Sequence, residues 1–160
     1  MDIAIYPGSF NPITLGHLNI LERALGIFSE VTLLMAINPN KEPLFSQEES
    51  MEMISEAISG LPGAKVDFHN GLTVDYAQEH GICTAVRGLR AVTDFEHEFS
   101  MALTNRSLWP NFDTVFLMTK AEYMYLSSSV VRQVSQMGGN VAQFVPPCVE
   151  RRLREKFGHA

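Results

Sequence analysis

Residues 3–17 read IAIYPGSFNPITLGH, and the architecture of the chain follows from this stretch. Its first four residues are apolar or aromatic, which predicts a short β-strand over residues 3–6. The following PGSFNP is a turn segment, because glycine, proline, serine and asparagine favour turns. Leu18, Leu21, Leu25 and Phe28 then recur at a spacing that places them on one face of a helix. The stretch therefore predicts a strand, a polar loop and a helix in succession.

The same alternation continues along the rest of the chain. Four further apolar runs predict strands at residues 31–37, 65–69, 84–86 and 114–117. The run VTLLMAI at 31–37 is almost continuously apolar, as is typical of a strand covered on both faces. Strands that alternate with helices predict an α/β fold, with a parallel five-stranded sheet and helices on both of its faces.

Two capping boxes mark predicted helix starts, at Ser46 with Glu49 and at Thr93 with Glu96. Apolar residues at helical spacing follow each box. After the second box, the residues that form this apolar face are Phe95, Phe99, Ala102 and Leu103.

The composition narrows the classes of protein. A chain of 160 residues and 17.9 kDa, 46% hydrophobic, suits a single domain. Its net charge of −6 and pI near 5.3 argue against wrapping nucleic acid or resting on an anionic membrane. No apolar run approaches the roughly 20 residues that span a bilayer, and no basic-then-apolar leader opens the chain. We expect a cytoplasmic protein that binds neither nucleic acid nor membrane.

Metal and disulfide chemistry have little support. The two cysteines, Cys83 and Cys148, show no metal-like pairing, so zinc modules and disulfide scaffolds are poor interpretations. Four histidines share no ligand spacing with carboxylates and are expected to be structural or solvated. They are His69, His80, His97 and His159. No metal is therefore expected to be held by side chains of the protein.

The loop after the first strand carries the first candidate site. In parallel sheets, ligands bind beyond the carboxyl ends of the strands. Gly8 permits close approach of backbone, while Ser9 and Thr14 supply hydroxyl groups. His17 falls in the first turn of the predicted helix, where free N–H groups and the helix dipole favour an anion.

Basic and hydroxyl groups follow other strands. Lys41 follows the second strand, and Arg87 and Arg90 flank Gly88 after the fourth; a guanidinium fork matches phosphate oxygens. The alternatives are a solvated lysine and arginines that pair with nearby acidic residues, Asp94 or Glu96. The serines at 127–129 open a later helix as a second anion cradle or, alternatively, as a redundant N-cap.

These positions indicate a small polyanionic substrate. Positive charge gathers at one edge of an acidic protein, and two cradles suggest two phosphorylated ligands or one long phosphate chain. The chain has no Gly-x-x-x-x-Gly-Lys-Ser/Thr segment and no Gly-x-Gly-x-x-Gly after its first strand. P-loop kinase and dinucleotide-dependent oxidoreductase functions are therefore disfavoured.

Four motifs together resemble those of bacterial phosphopantetheine adenylyltransferases. The opening PGSFNPITLGH resembles the Thr/His-x-Gly-His signature of the nucleotidyltransferase superfamily. RGLRAVTDFE at 87–96 and LSSSVVR at 126–132 resemble the central and late motifs of the narrower family, and FVPP at 144–147 fits its C-terminal pattern. The resemblance covers essentially the whole chain. It implies a Rossmann-like fold and adenylyl transfer from ATP to 4′-phosphopantetheine, which yields dephospho-coenzyme A and pyrophosphate.

The resemblance also implies Mg²⁺ that enters with ATP, and a homohexamer built as a dimer of trimers. By resemblance, His17, Lys41 and Arg90 are catalytic. The positions expected to contact phosphopantetheine are Ser9, Lys41, Thr73 and Arg87. The positions expected to contact ATP are Ser9, Phe10, His17, Gly88, Leu89, Arg90, Glu98, Tyr123, Met124, Tyr125, Leu126, Ser127, Ser128 and Ser129.

Four positions depart from the usual family pattern. Ser9 stands where threonine is usual, Asn11 where aspartate is common, Thr73 where methionine is frequent and Leu126 where isoleucine is usual. Two alternative functions remain. One is another small adenylyltransferase, such as one acting on nicotinate mononucleotide, with a cytidylyltransferase less favoured. The other is an ATP-binding sensor that performs no chemistry.

Overall fold

Strands and helices alternate in the computed structural model, which describes residues 2–37, 39–40 and 42–159, without the side chains of Val92 and Thr93. The strands are β1 (Ile3–Gly8), β2 (Glu30–Ala36), β3 (Ala64–His69), β4 (Thr84–Leu89) and β5 (Asp113–Met118). The helices are α1 (Leu15–Leu25), α2 (Gln47–Ile58), α3 (Thr73–His80), α4 (Val92–Leu108), α5 (Ser128–Gln136) and α6 (Pro147–Phe157). A single 3₁₀ turn, Ala121–Tyr123, precedes α5.

The sheet is parallel throughout, with strand order β3-β2-β1-β4-β5. The chain builds outward from β1 in one direction through β2 and β3, and then in the other through β4 and β5. The order reverses between β1 and β4, where Ile5 pairs with Ala85. The loops that leave these two strands diverge to opposite faces, which opens a crevice at the carboxyl edge.

Helices cover both faces of the sheet, as the sequence predicts. Alternate side chains of the central strands belong to two hydrophobic clusters, since successive residues of a strand point to opposite faces of the sheet. Tyr6 and Leu33 join buried residues of α1, α2, α5 and α6 in the larger cluster. Ile5 and Leu34 join buried residues of α3 in the smaller one.

Two local predictions are wrong. β4 continues to Leu89, so Arg87 and Gly88 belong to the strand and not to the loop after it. The predicted N-cap is also misplaced: α4 begins at Val92 and the preceding Ala91 is its N-cap, so Thr93 lies inside the helix. Sequence propensity locates a helix start only to within a few residues. The exact first residue of α4 depends on where β4 ends.

The apolar face of α4 does not pack into the core of this chain. Phe95, Phe99 and Leu103 expose 44%, 47% and 54% of their surface. Phe95 and Phe99 stack on each other, with ring centroids 5.5 Å apart. Periodicity identifies an apolar face of a helix, but it does not say what covers that face.

Asn11 ties the loop after β1 to the segment that precedes α2. Its Nδ2 donates to the Phe45 carbonyl at 3.0 Å and to Ser50 Oγ at 3.1 Å. Its Oδ1 accepts from the backbone N–H groups of Leu44 and Phe45, at 2.9 and 3.2 Å. The amide is buried and uses both its donor and its acceptor capacity.

Replacing Asn11 with aspartate is expected to destabilise the protein. Asn11→Asp puts an acceptor where Nδ2 now donates, so the buried Phe45 carbonyl loses its partner at a cost of about 1–3 kcal/mol. Urea unfolding at neutral pH measures the change in the free energy of unfolding. The control is Ser50→Ala, which removes one of the four bonds and should cost about 1 kcal/mol or less. An Asn11→Asp protein as stable as the wild type would refute this account.

Candidate active site

A cavity of about 730 Å³ lies at the carboxyl edge of the sheet, over the reversal between β1 and β4. It is lined by the loops after β1, β4 and β5 and by one face of α4. The sequence-predicted site residues that line it are Ser9, Phe10, His17, Thr73, Arg87, Gly88, Arg90, Glu98, Tyr123, Leu126, Ser127, Ser128 and Ser129.

Three predicted residues do not line this cavity. Leu89 ends β4, where its carbonyl accepts the N–H of Thr119 at 2.9 Å. Met124 and Tyr125 are exposed beside the 3₁₀ turn, and Tyr125 packs edge-on against Phe144. Lys41, predicted to bind both substrates, lies outside the described residues.

The loop after β1 is shaped by the close approach of Phe10 to Gly8. A Cβ atom at Gly8 would lie 2.8 Å from Cζ of Phe10, so any side chain there would displace the ring. Phe10 is buried and has a φ of +44°, in the left-handed region that most residues avoid. Its ring packs edge-on against His17, with centroids 5.1 Å apart. The glycine therefore allows an aromatic platform to form under His17.

His17 is the third residue of α1 and forms a reciprocal cap with Thr14. The Thr14 hydroxyl accepts the His17 N–H at 3.3 Å, and His17 Nδ1 accepts the Thr14 N–H at 3.0 Å. Since Nδ1 accepts a backbone N–H, the neutral ring carries its proton on Nε2. His17 thus offers the cavity a hydrogen-bond donor.

The surroundings of His17 keep its ring uncharged. Burial, together with the positive charges of Arg87 and Arg90, lowers the pKa of His17 from 6.5 to about 3. The imidazole is therefore neutral at neutral pH in the free protein. Because the ring carries no charge, it needs no carboxylate partner and can donate directly to an anionic ligand.

Arg87 projects from β4 and is held on two sides. Its Nε donates to Glu98 Oε2 at 2.7 Å, and its Nη2 donates to Oε1 of the same carboxylate. Its Nη1 donates to the Pro7 carbonyl, near the carboxyl end of β1. The side chain therefore bridges β1, β4 and α4 at the reversal of the sheet.

Arg90, in the loop between β4 and α4, has a matching arrangement with Asp94, which lies one turn before Glu98 on α4. Its Nε donates to Asp94 Oδ2 at 3.0 Å, and Asp94 also accepts the Arg90 backbone N–H at 3.2 Å. Its Nη1 donates to the Leu126 carbonyl at 2.8 Å. The pair Arg90–Asp94 matches one of the alternatives weighed from sequence, whereas Arg87 pairs with Glu98 and not with Glu96.

The serines that open α5 already have partners within the protein. Ser127 is the N-cap and accepts the Val130 N–H at 3.2 Å, while Ser128 donates to the Pro12 carbonyl at 2.7 Å. Ser129 accepts from Arg132, at 3.4 Å. The hydroxyls thus fix the helix start in place, and backbone N–H groups of its first turn remain to meet an anion.

Several residues that line the cavity were not predicted from the sequence. Arg132, which also donates to the Asn11 carbonyl at 2.8 Å, and Thr119 are two of them. Others lie on α4, where a stripe of residues spaced by three or four could have revealed them. Beside Glu98, which the sequence did predict, that stripe contains Asp94, His97, Met101 and Asn105. His97, expected to be structural or solvated, therefore borders the cavity.

Other kinds of site find no support in the described parts of the chain. Among these residues, no group of three or more histidine, cysteine, aspartate or glutamate side chains is placed to hold a metal ion. None of the helices described is long and apolar enough to cross a membrane.

Comparison with known proteins places the chain in a family. Residues 5–134 match the family model described as cytidylyltransferase-like. The chain is 52% identical over 158 residues to phosphopantetheine adenylyltransferase of Desulforudis audaxviator, a match that covers 99% of this chain and 97% of that one. It is 50% identical to the protein of the same name from Heliobacterium modesticaldum, covering 99% and 94% of the two chains.

Solved structures share the fold at low sequence identity. A putative nicotinate-nucleotide adenylyltransferase from Vibrio parahaemolyticus superposes with a TM-score of 0.74 at 20% identity, covering 96% of this chain and 99% of that chain. A bifunctional NMN adenylyltransferase/ADP ribose pyrophosphatase from Francisella tularensis gives 0.70 at 17% identity, covering 96% and 48%. These likenesses support the Rossmann-like α/β fold.

The His17 ring is expected not to titrate between pH 8 and pH 5 in the ligand-free protein. Its pKa lies below its usual value, so the neutral form persists as the pH falls and is lost only near pH 3. Imidazole chemical shifts followed by NMR give the titration, and the signal absent from a His17→Asn variant identifies the ring. A midpoint near 6.5 would contradict the buried, cation-flanked environment.

Proposed function

The chain belongs to the family of phosphopantetheine adenylyltransferases, which are nucleotidyltransferase enzymes, and we propose how its cavity carries out their reaction. The adenylyl group of ATP passes to 4′-phosphopantetheine, which gives dephospho-coenzyme A and pyrophosphate. This is the penultimate step of coenzyme A synthesis. A cytoplasmic location suits a reaction that draws on the ATP pool.

One observation carries the proposed mechanism: a neutral imidazole donor shares a single cavity with two arginines held in fixed orientations. His17, Arg87 and Arg90 all line this cavity, so they can contact one polyphosphate. This pattern suits transfer between two phosphorylated ligands, in which the enzyme mainly positions and neutralises.

The chemistry needs no general base. A phosphate monoester has a second pKa near 6, so the acceptor phosphate is largely a dianion at neutral pH. One of its oxygens forms a bond to the α-phosphorus of ATP. The bond from that phosphorus to the oxygen that bridges to the β-phosphate breaks, and pyrophosphate leaves with the electron pair. No proton has to move in this step.

Each cavity group has a proposed role. His17 Nε2 donates to a non-bridging oxygen of the α-phosphate as charge builds there. Arg90 and the first turn of α5 hold the departing β- and γ-phosphates. Arg87 and Ser9 orient the incoming phosphate. Lys41, outside the described residues, is proposed to bind α-phosphate oxygens.

The remaining proposed contacts are with the bodies of the two substrates. Thr73, at the start of α3, faces the cavity where the pantetheine arm would lie. The proposed nucleotide contacts include Phe10, Gly88, Tyr123 and Leu126, all of which line the cavity.

Mg²⁺ is proposed to enter with ATP, bound to its phosphate oxygens, where it would offset the negative charge of the polyphosphate. Asp94 and Glu98 are the carboxylates among the residues that line the cavity, and each is engaged by an arginine. The described residues therefore favour a metal carried by the nucleotide over one held by the protein.

A homohexamer is proposed, and the apolar face of α4 supports burial against other copies. Phe95, Phe99 and Leu103 form a contiguous exposed surface of the kind that marks an interface. Light scattering should give a mass of about 107 kDa, six times the 17.9 kDa of one chain. A stable species near 18 kDa at working concentrations would overturn the proposal.

Pyrophosphate release from ATP and Mg²⁺ tests the reaction. We expect release with 4′-phosphopantetheine as acceptor and none with nicotinate mononucleotide, and EDTA should abolish it. Release with the mononucleotide alone would keep the chemistry and reassign the substrate. ATP binding without release with either acceptor would favour a sensor.

His17→Ala is expected to lower kcat by about 10²–10³, the usual effect of losing one donor to the transition state. The Kd for ATP should change little, because the proposed bond strengthens only as charge builds on the α-phosphate. Single-turnover rates and equilibrium binding of ATP give the two quantities separately. Equal losses in both would contradict the proposed role of His17.

A further inference from the structure

Helix α3 reaches the cavity with its first turn, and that turn has no side-chain cap. The helix has eight residues, and its N-cap, Leu72, makes no side-chain hydrogen bond to it. Helices this short are marginal without tertiary contacts. Among the described residues of α3, only the first, Thr73, lines the cavity. The position of Thr73 is therefore fixed by contacts made elsewhere on this short helix.

Tyr76, one turn after Thr73, links α3 to strand β3. Its hydroxyl donates to Asp67 Oδ2 at 2.8 Å, and Asp67 Oδ1 accepts the backbone N–H of Phe68 at 2.7 Å. The carboxylate is thus held by its own strand on one side and by α3 on the other. Tyr76 is buried. Burial and the hydrogen bond to Asp67 raise the pKa of Tyr76, so the hydroxyl stays protonated and keeps donating.

Two histidines pack against the ring of Tyr76. His80 stacks on it with centroids 3.9 Å apart, and His80 Nδ1 donates to the Tyr76 carbonyl at 2.8 Å. His69, at the end of β3, meets the ring edge-on with centroids 5.6 Å apart. A Cβ atom at Gly71 would lie 2.7 Å from His69 Nε2, so the loop that leads to α3 lies directly on this histidine. The loop before Thr73 and the helix after it are therefore held by the same cluster.

The groups proposed to contact the phosphates come from other elements. His17 lies on α1, Arg87 on β4 and Arg90 in the loop after β4. None of them belongs to β3 or α3. A displacement of the first turn of α3 would therefore move Thr73 and leave the proposed phosphate contacts in place.

We propose that the hydrogen bond between Tyr76 and Asp67 sets the affinity for the acceptor substrate, because it holds the first turn of α3 and so fixes Thr73 against the pantetheine arm. Tyr76 and Asp67 are positioning residues, since neither is among the residues that line the cavity. The inference rests on the proposed function, in which Thr73 contacts that arm. When the bond is lost, the first turn opens in part of the molecules, and the apparent Kd rises as the competent fraction falls.

Tyr76→Phe tests this role, because it removes the hydroxyl and keeps the ring that the two histidines contact. We expect the Kd for 4′-phosphopantetheine to rise about tenfold, the usual scale for a lost hydrogen bond to a charged group. The Kd for ATP should stay within about twofold. The single-turnover rate at saturating 4′-phosphopantetheine should be unchanged, since the groups that contact the phosphates have not moved. Titration calorimetry and rapid-quench kinetics measure these quantities.

Hydrogen exchange shows where the variant opens. In Tyr76→Phe the amides of residues 75–77 should exchange faster, with those of the other helices unchanged. Val149→Ala is the matched control: it removes buried atoms from α6, none of whose described residues lines the cavity, and lowers global stability without touching α3. Both dissociation constants should be unchanged in this control. An equal rise in its Kd for 4′-phosphopantetheine would tie the loss to global stability and overturn the proposal.

A double-mutant cycle with Thr73→Ala shows whether Tyr76 acts through Thr73. In the Thr73→Ala background, Tyr76→Phe should have little further effect on the Kd for 4′-phosphopantetheine, because the contact that it positions is gone. Additive losses would mean that Tyr76 acts independently of Thr73, and would refute the proposal. A selective rise in the Kd for ATP would refute it as well.

A second variant keeps the test decisive if Tyr76→Phe does not fold. Asp67→Asn weakens the same bond by removing the charge of its acceptor, and the same selective loss of 4′-phosphopantetheine affinity is expected. Wild-type protein that binds no 4′-phosphopantetheine would refute the proposed function. Equal binding of 4′-phosphopantetheine by the wild type and the folded variant would refute only the role of Tyr76 and Asp67.

Discussion

The pairing of β1 with β4 is the constraint on which the rest of this molecule depends. At Ile5 and Ala85 the strand order reverses, so the loop after β1 and the end of β4 separate and leave a crevice. His17 reaches that crevice from α1, and Arg87 reaches it from β4. Arg87 also links the two strands at this point, since its side chain donates to the Pro7 carbonyl of β1. The same strand order therefore opens the cavity and supplies the cations that face it.

The charge of the site is arranged before any ligand arrives. Arg87 and Arg90 each form an ion pair with a carboxylate of α4, and the ring of His17 is neutral. Uncompensated guanidinium groups at this edge would repel one another and cost stability. The carboxylates offset that cost and fix both arginines in place. Electrostatic preorganisation of this kind is worth more than flexible charge, because little reorganisation follows when the substrate binds.

Sequence was sufficient for the strands, the parallel sheet, the helices on both faces and the family, which relatives at 46–52% identity confirm. It was sufficient because buried strands and the loop motifs are local patterns. It was insufficient for α4. The start of that helix and the rotation of its polar stripe depend on how it packs against β4, so Glu98 as partner of Arg87 could not be chosen over Asp94 or Glu96. Apolar spacing likewise could not show that Phe95 and Phe99 are exposed.

Helix α4 lines the cavity with one face and exposes apolar side chains on another. A change in its length would therefore move both faces. Each added residue turns a helix by about 100°, so one insertion between Arg90 and Asp94 would rotate both carboxylates away from their arginines. The same insertion would swing Phe95 and Phe99 toward the polar cavity. Length variation is therefore expected in the surface turns near Gly60 and Gly139, where a change in length shifts no catalytic group, and not within this helix.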